Sequence, residues 1–269
     1  MSALLPIRMV EKPWGKDTLP APFSAPAGQK IGEIWFEPPP GQLLIKYIFT
    51  SEALSVQVHP SDAQAEAKGL GRQGKEECWL ILHAEPGAKL GIGFTGEVGA
   101  DQIREAAIDG SIEHLMAWYE VQPGDFFYIP ANTVHAIGAG ISLIEVQQNS
   151  DITYRLYDYG RPRELHLADG VAVARGAPYP DACRQQIGED ETRTLVNGPL
   201  FRLDQIAGPV PKEVAGRYGE APLLALPRKG AIRVSGETIW PGGCGLAPNL
   251  AALALDLDSS CLIAQPCKP

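Results

Sequence analysis

The chain has 269 residues, of which 45 % are apolar and 20 % charged, with a formal net charge of −9 and pI near 5.1. This is the composition of an ordinary globular protein, long enough for one large domain or two small ones. It excludes intrinsic disorder, and an acidic chain without a Lys/Arg block excludes a nucleic-acid binder. The amino-terminal stretch is too short in apolar residues for a signal peptide, and no run reaches the length of a membrane span. Cys78, Cys183, Cys244, Cys261 and Cys267 are scattered without CxxC spacing. They point to a reducing cytoplasm, with no disulfide framework and no thiolate metal site.

Gly and Pro punctuate short apolar runs throughout, the pattern of an all-β barrel or sandwich. In chain order, strands are predicted at Leu43–Phe49 and Leu54–Val58. Ser61 then caps a short helix over Asp62–Lys68. A strand follows at Cys78–Leu82, helices at Ala100–Ala107 and Ser111–Trp118, then strands at Phe126–Ile129 and Ile141–Val146. Glu164–Arg175 carries a weaker helical pattern.

Pro123–Pro130 and Pro241–Pro248 share one motif: Pro-Gly, five residues, then Pro. A tight turn, a short strand and a terminating Pro would satisfy it. The repetition predicts a mainly β chain with two jelly-roll units and a few short helices: residues 1–160 as a metal-binding unit, 161–190 as a helical linker, and 191–269 as a degenerate second unit. His135 follows the first copy, whereas Leu253 stands at the equivalent place in the second, so the metal site is expected in the first unit alone.

In Ser55-Val56-Gln57-Val58-His59 the alternation puts Ser55, Gln57 and His59 on one face. Buried Gln and His need partners, and a metal supplies one. Lys75 and Glu77 share a parity and point the same way, while His135 comes just after a strand-ending Pro. Gln57, His59, Glu77 and His135 make an N/O ligand set suited to a divalent ion with one open position. Zinc is the first expectation; manganese, iron and cobalt also fit. Glu145 lies on a strand face with Leu143 and Gln147, and Arg155 shares a face with Thr153 and Tyr157. A carboxylate and a guanidinium in one cavity suit proton transfer beside a polarised carbonyl.

Glu11–Gly15, Gly32–Trp35, Leu54–Asp62, Gly74–Leu82, Tyr128–Ile137 and Glu145–Arg161 together resemble the type I phosphomannose isomerases, in particular their short bacterial form. The combination of QVHPSD, GKEECW, PANTVHA and SDITYRLYD is specific, and beyond residue 190 the resemblance fades. The resemblance implies a cupin fold (a double-stranded β-helix) and interconversion of mannose 6-phosphate and fructose 6-phosphate through a cis-enediol. It implies one zinc per chain held by Gln57, His59, Glu77 (rather than Glu76) and His135. It implies Ser55 and Lys75 as substrate contacts and Arg155 as a catalytic residue, with the acidic Glu145 and Asp151 near the centre as candidate bases. Lys46 matches a Lys of related sequences and receives no role. The implied partner is a sugar phosphate, with no nucleic acid or membrane and a monomeric or homodimeric state.

Three departures stand out, one of them a short carboxy-terminal third. There is no room for the helical domain of longer members, and Asn132 replaces a common Gly, at a position where Asn tolerates positive φ. The competing functional readings are a non-catalytic sugar-phosphate-binding cupin and another metal cupin such as an oxygenase. The plainer residue readings are Glu76 as a solvated charge, Arg155 as an ion pair with Asp151 or Asp158, and Trp14 and Trp35 as packing residues. His166 reads as a helix start, His83 and His114 as surface residues, and the cysteines as buried packing.

Overall fold

The computed structural model describes residues 2–267. The amino-terminal unit contains β1 (Ile7–Lys16), β2 (Ile31–Phe36), β3 (Leu44–Phe49), β4 (Val56–Val58), α1 (Asp62–Ala67), β5 (Glu77–Ala84) and β6 (Lys89–Phe94). It continues with α2 (Ala100–Asp109), α3 (Ile112–Leu115), β7 (Met116–Glu120), β8 (Asp125–Ile129), β9 (His135–Ile137), β10 (Ile141–Gln147), β11 (Tyr154–Tyr157) and α4 (Leu167–Val173). A short β12 (Arg184–Gln186) pairs with β8 and closes one edge of the larger sheet. The two sheets run β1-β2-β3-β10-β5-β8-β12 and β11-β4-β9-β6-β7.

The carboxy-terminal unit contains β13 (Arg193–Asn197), β14 (Phe201–Ala207), α5 (Lys212–Ala215), β15 (Leu223–Lys229), β16 (Ile232–Val234), β17 (Glu237–Ile239), β18 (Gly245–Ala247), β19 (Leu253–Leu255) and β20 (Ser260–Pro266). Its sheets run β13-β14-β20-β15-β18 and β17-β16-β19. Its pairing repeats that of the first unit. β5 pairs with β8 and β10, and β6 with β7 and β9; β15 pairs with β18 and β20, and β16 with β17 and β19. Both copies of the Pro-Gly motif open with a left-handed glycine, Gly124 at φ 89° and Gly242 at φ 96°. Such turns favour glycine because no Cβ is in the way. Among the described residues no strand of the second unit corresponds to β4; α5 occupies that stretch of chain.

Side-chain alternation sorts the layers. On β3, Ile45, Tyr47 and Phe49 face the carboxy-terminal unit in one core with Leu203, Leu224, Leu226 and Leu262. Residues 3–5 also join that unit: Leu5 donates its amide to Cys244 O, and Leu246 donates to Ala3 O. On the small sheet, Val56, Val58 and Ala136 face outward beneath Ile103 and Ala107 of α2 and Val171 of α4. Because helices cover the outer face, the polar parity of β4 is left for the barrel interior. Ser61 closes a capping box with Gln64, as its sequence context predicts. The stretch expected as a helix over Ser111–Trp118 is helical only to Leu115. From Met116 it becomes β7, because the free edge of β6 offers a ladder of hydrogen bonds. Among the described residues no helix is long and apolar enough to cross a membrane.

Candidate metal centre and cavity

Strand register brings the ligand candidates together. Gln57 lies opposite His135 on one side and Arg155 on the other, and Glu77 lies opposite Gln147. His59 follows the end of β4, where its carbonyl accepts from the Asn132 amide at 2.8 Å. Asn132 adopts φ 73°, a conformation Asn tolerates better than most residues, and its side chain donates to Gln64 Oε1 at 2.7 Å. Gly74 lets the Lys75 strand approach the same turn: a Cβ there would lie 2.2 Å from Pro60 O.

His59, Glu77 and His135 are all buried, and one donor atom from each lies within 4.8 Å of the other two. His59 Nε2 stands 3.5 Å from Glu77 Oε2, and His135 Nε2 3.4 Å from Glu77 Oε1. Nδ1 of His59 meets Ile152 O at 2.9 Å and Nδ1 of His135 meets Thr133 O at 2.9 Å. A carbonyl can only accept, so each Nδ1 carries the proton and each Nε2 presents a lone pair. Burial first, and then the Lys75 charge, push His59 well below its usual range; burial brings His135 down to about 4. Both rings are therefore neutral, the state a metal requires.

His135 Nε2 and both Glu77 oxygens are buried without an aligned hydrogen bond, although Lys75 Nζ is only 2.7 Å from Glu77 Oε2. Buried polar atoms are rarely left so, and a cation between them removes the anomaly. Burial, together with the nearby Glu145 charge, raises Glu77 to about 7. The donor set, neutral imidazole nitrogens with a carboxylate, fits a first-row divalent ion.

Above this cluster lies a cavity of about 350 Å³. Ser55, Gln57, Lys75, Glu145, Asp151 and Arg155 all line it, so every site residue predicted from sequence lies either at the cluster or on this wall. Lys46 is the most informative residue without a predicted role. It is the one charge in an otherwise apolar strand, LIKYIF, and that was its sequence signal. Its Nζ donates to Glu145 Oε1 at 2.8 Å and Gln147 Oε1 at 2.5 Å, and lies 4.6 Å from the Trp35 ring centroid. Trp79 Nε1 donates to Glu145 Oε2 at 3.2 Å. Burial alone would raise Glu145, but Lys46 and Lys75 bring it down to about 2. Lys12, Glu33, Trp35 and Arg163 also line the cavity and carried no predicted role there, because each is an ordinary residue until the strands are paired. With Lys12, Lys46, Lys75, Arg155 and Arg163 the acidic chain acquires a locally basic pocket.

Several plainer expectations change. Glu76 is not a solvated charge: it is half-buried, raised by burial, and accepts from the Tyr128 hydroxyl. Arg155 has no carboxylate partner among the described residues, because Asp158 is taken by Arg161 and Arg163. The Arg155 Nη1 donates to Glu164 O at 2.7 Å while its Nε is buried and unpaired. Tyr157 does not share the face of Arg155. A bulge between them turns Tyr157 out against Gly110 and the helical layer. Trp35 and Trp14 both line the cavity rather than only packing, Trp14 being buried in the barrel core as well. Cys183 and Cys267 are only partly buried, unlike the other three. His166 does begin α4, and it also accepts from the Arg155 amide.

Mannose-6-phosphate isomerase of Streptococcus mutans serotype c is 36 % identical over 193 residues, covering 68 % of this chain but only 60 % of that protein. The crystal structure of mannose 6-phosphate isomerase from Bacillus subtilis superposes over 98 % of this chain and 100 % of its own, with a TM-score of 0.75 at 24 % identity. A zinc-bound mannose 6-phosphate isomerase superposes over 98 % of both chains with a TM-score of 0.69 at 13 % identity. No family model matches the chain. Fold and donor set together define a cupin with a candidate metal centre inside its first barrel. The sequence match goes further: over 68 % of its length the chain is similar to mannose-6-phosphate isomerases, and it spans about 60 % of that relative.

Proposed function

We propose that the protein is a zinc-dependent aldose–ketose isomerase that interconverts mannose 6-phosphate and fructose 6-phosphate in the cytoplasm. The observation that carries this reading is the convergence of His59, Glu77 and His135, with the Glu77 oxygens and His135 Nε2 buried and partnerless, beneath a basic, sugar-sized cavity. Gln57, His59, Glu77 and His135 would hold the ion. When bound, it supplies Lewis-acid polarisation of the substrate oxygens.

The protein groups divide the remaining work. The reaction moves a proton between C1 and C2 and develops an enediolate. Arg155, anchored through Glu164 O and without a carboxylate partner among the described residues, offers a fixed positive charge to that oxyanion. Lys75 and Ser55 line the same wall and suit charge-assisted and neutral hydrogen bonds to the sugar or its phosphate. Glu145 is held anionic and doubly bonded by Lys46 and Trp79, which makes it a weak proton acceptor. Asp151, exposed at the cavity rim, is the freer of the two carboxylates, and we assign it the proton transfer. The test is a coupled assay with mannose 6-phosphate before and after chelation. Turnover should vanish with the metal and return with zinc. A zinc-loaded protein that binds mannose 6-phosphate without converting it would instead be the non-catalytic cupin.

A further inference from the structure

A second cavity, of about 220 Å³, lies between the two β units, on the reverse face of the large sheet from Lys46 and Glu145. Its walls are mostly apolar: Phe23, Tyr47, Phe49, Ile144 and Pro227. Into this apolar crevice projects one cation, Arg228. The β15–β20 register slips between Pro227 and Lys229, so Arg228 is the extra residue of a bulge. Bulges re-aim side chains, and this one turns a guanidinium inward from a strand end.

The Arg228 side chain is only 3 % exposed. Its Nη1 donates to the neutral Gln205 Oε1, and its Nε is buried with no partner. The nearest carboxylate is Glu189, 4.0 Å away and 59 % exposed on the rim. Tyr47 and Gly242 line the same crevice as Arg228. A buried guanidinium without a close anion is costly, and its planar fork matches a carboxylate.

We propose that this crevice binds a small organic anion, a carboxylate on a short apolar or aromatic body, with Arg228 as its anchor. The apolar walls favour such a ligand over a free inorganic ion, and the volume limits it to a compact molecule. The proposal stands apart from the metal centre and from isomerase activity.

Thermal unfolding of the metal-loaded full chain tests it, with benzoate as the probe and benzamide as its uncharged shape-mate. Benzoate should raise the midpoint saturably and benzamide should not, since binding to the folded state alone stabilises by mass action. Arg228→Met should abolish the benzoate shift. Glu189→Gln, on the solvated rim, should enlarge it by removing the competing carboxylate, and this variant does not threaten folding. The proposal is overturned if benzamide matches benzoate, if Arg228→Met keeps the full shift, or if Glu189→Gln leaves the benzoate shift unchanged. It is equally overturned if no saturable shift occurs in the wild type.

Discussion

The two β units pair their strands alike but fill their interiors differently. Register equates Glu77 with Leu223 at the start of β5 and β15, since their partners Ile129 and Ala247 hold the same place in the Pro-Gly motif. His135 opens β9 and Leu253 opens β19, each five residues after the motif's closing Pro. Glu145 opposite Lys46 becomes Ile263 opposite Asp204. Asp204 is in turn satisfied by Thr194, Arg217 and the Tyr218 hydroxyl. The second unit is thus a mainly apolar barrel in which Asp204, the charge standing where Lys46 does in the first, is partnered within the chain. The first leaves donors facing one point. The same strand scaffold tolerates either interior, so the chemistry resides in a handful of inward positions and in β4, which the second unit lacks.

Making the first barrel resemble the second is the sharpest way to break this contrast. His135→Leu and Glu77→Leu, separately, should abolish zinc retention by elemental analysis and lower turnover by at least ~10³-fold. His135→Leu, which replaces a neutral buried ring, should leave the fold intact, whereas Glu77→Leu leaves Lys75 buried without its carboxylate and should cost about 3–5 kcal/mol. A variant that keeps stoichiometric zinc would remove that residue from the ligand set. Arg155→Ala tests a wall residue that has no role in holding the barrel together. Zinc should stay, while kcat falls by about 10²–10³-fold, the usual loss for an oxyanion stabiliser. Near-normal turnover would reduce Arg155 to a loop anchor.

Lys46→Met leaves Glu145 buried without its cation and should cost about 3–5 kcal/mol in denaturant unfolding. The double variant Lys46→Met, Glu145→Leu should regain most of that. If the single variant is as stable as wild type, the pair does not matter to the fold. In the second barrel, Leu253→Ala removes buried side-chain volume and should cost about 2–3 kcal/mol while zinc content stays the same. Loss of zinc there would show that the two interiors are coupled.

The smallest effect concerns protons. Glu77 is raised to about 7 in the metal-free protein, yet must be a carboxylate to ligate. Zinc uptake at pH 6 should therefore release roughly 0.9 proton, falling toward none by about pH 8.5, as read by calorimetry in buffers of different ionisation enthalpy. In the apo fold the signs oppose. The raised Glu77 contributes stability at low pH that is lost as pH rises from 4.5 through about 7. His135, lowered from 6.5 to about 4, contributes stability at high pH that is lost as pH falls across that interval.

Local pattern revealed much of this. The alternation in Ser55–His59 and Lys75–Glu77 made their inward faces legible, the Ser61 cap fixed α1, and Asn132 marked its own left-handed turn. The helix expected over Ser111–Trp118 failed beyond Leu115 because helix propensity is a local quantity, while the pairing of β7 with β6 is not. Tyr157 was misplaced because a bulge breaks strict alternation and leaves no compositional trace.

The amino-acid sequence by itself determined the β architecture, the repeated Pro-Gly turns and the residues able to bind a cation, since these follow from side-chain chemistry and a two-residue period. Only the tertiary structure decided that Lys46 pins Glu145, that Arg155 has no counter-ion among the described residues, and that Arg228 is turned into a crevice. Each of these depends on which strands lie side by side and where their register slips, and residues about a hundred positions apart carry no mark of that until the sheets close.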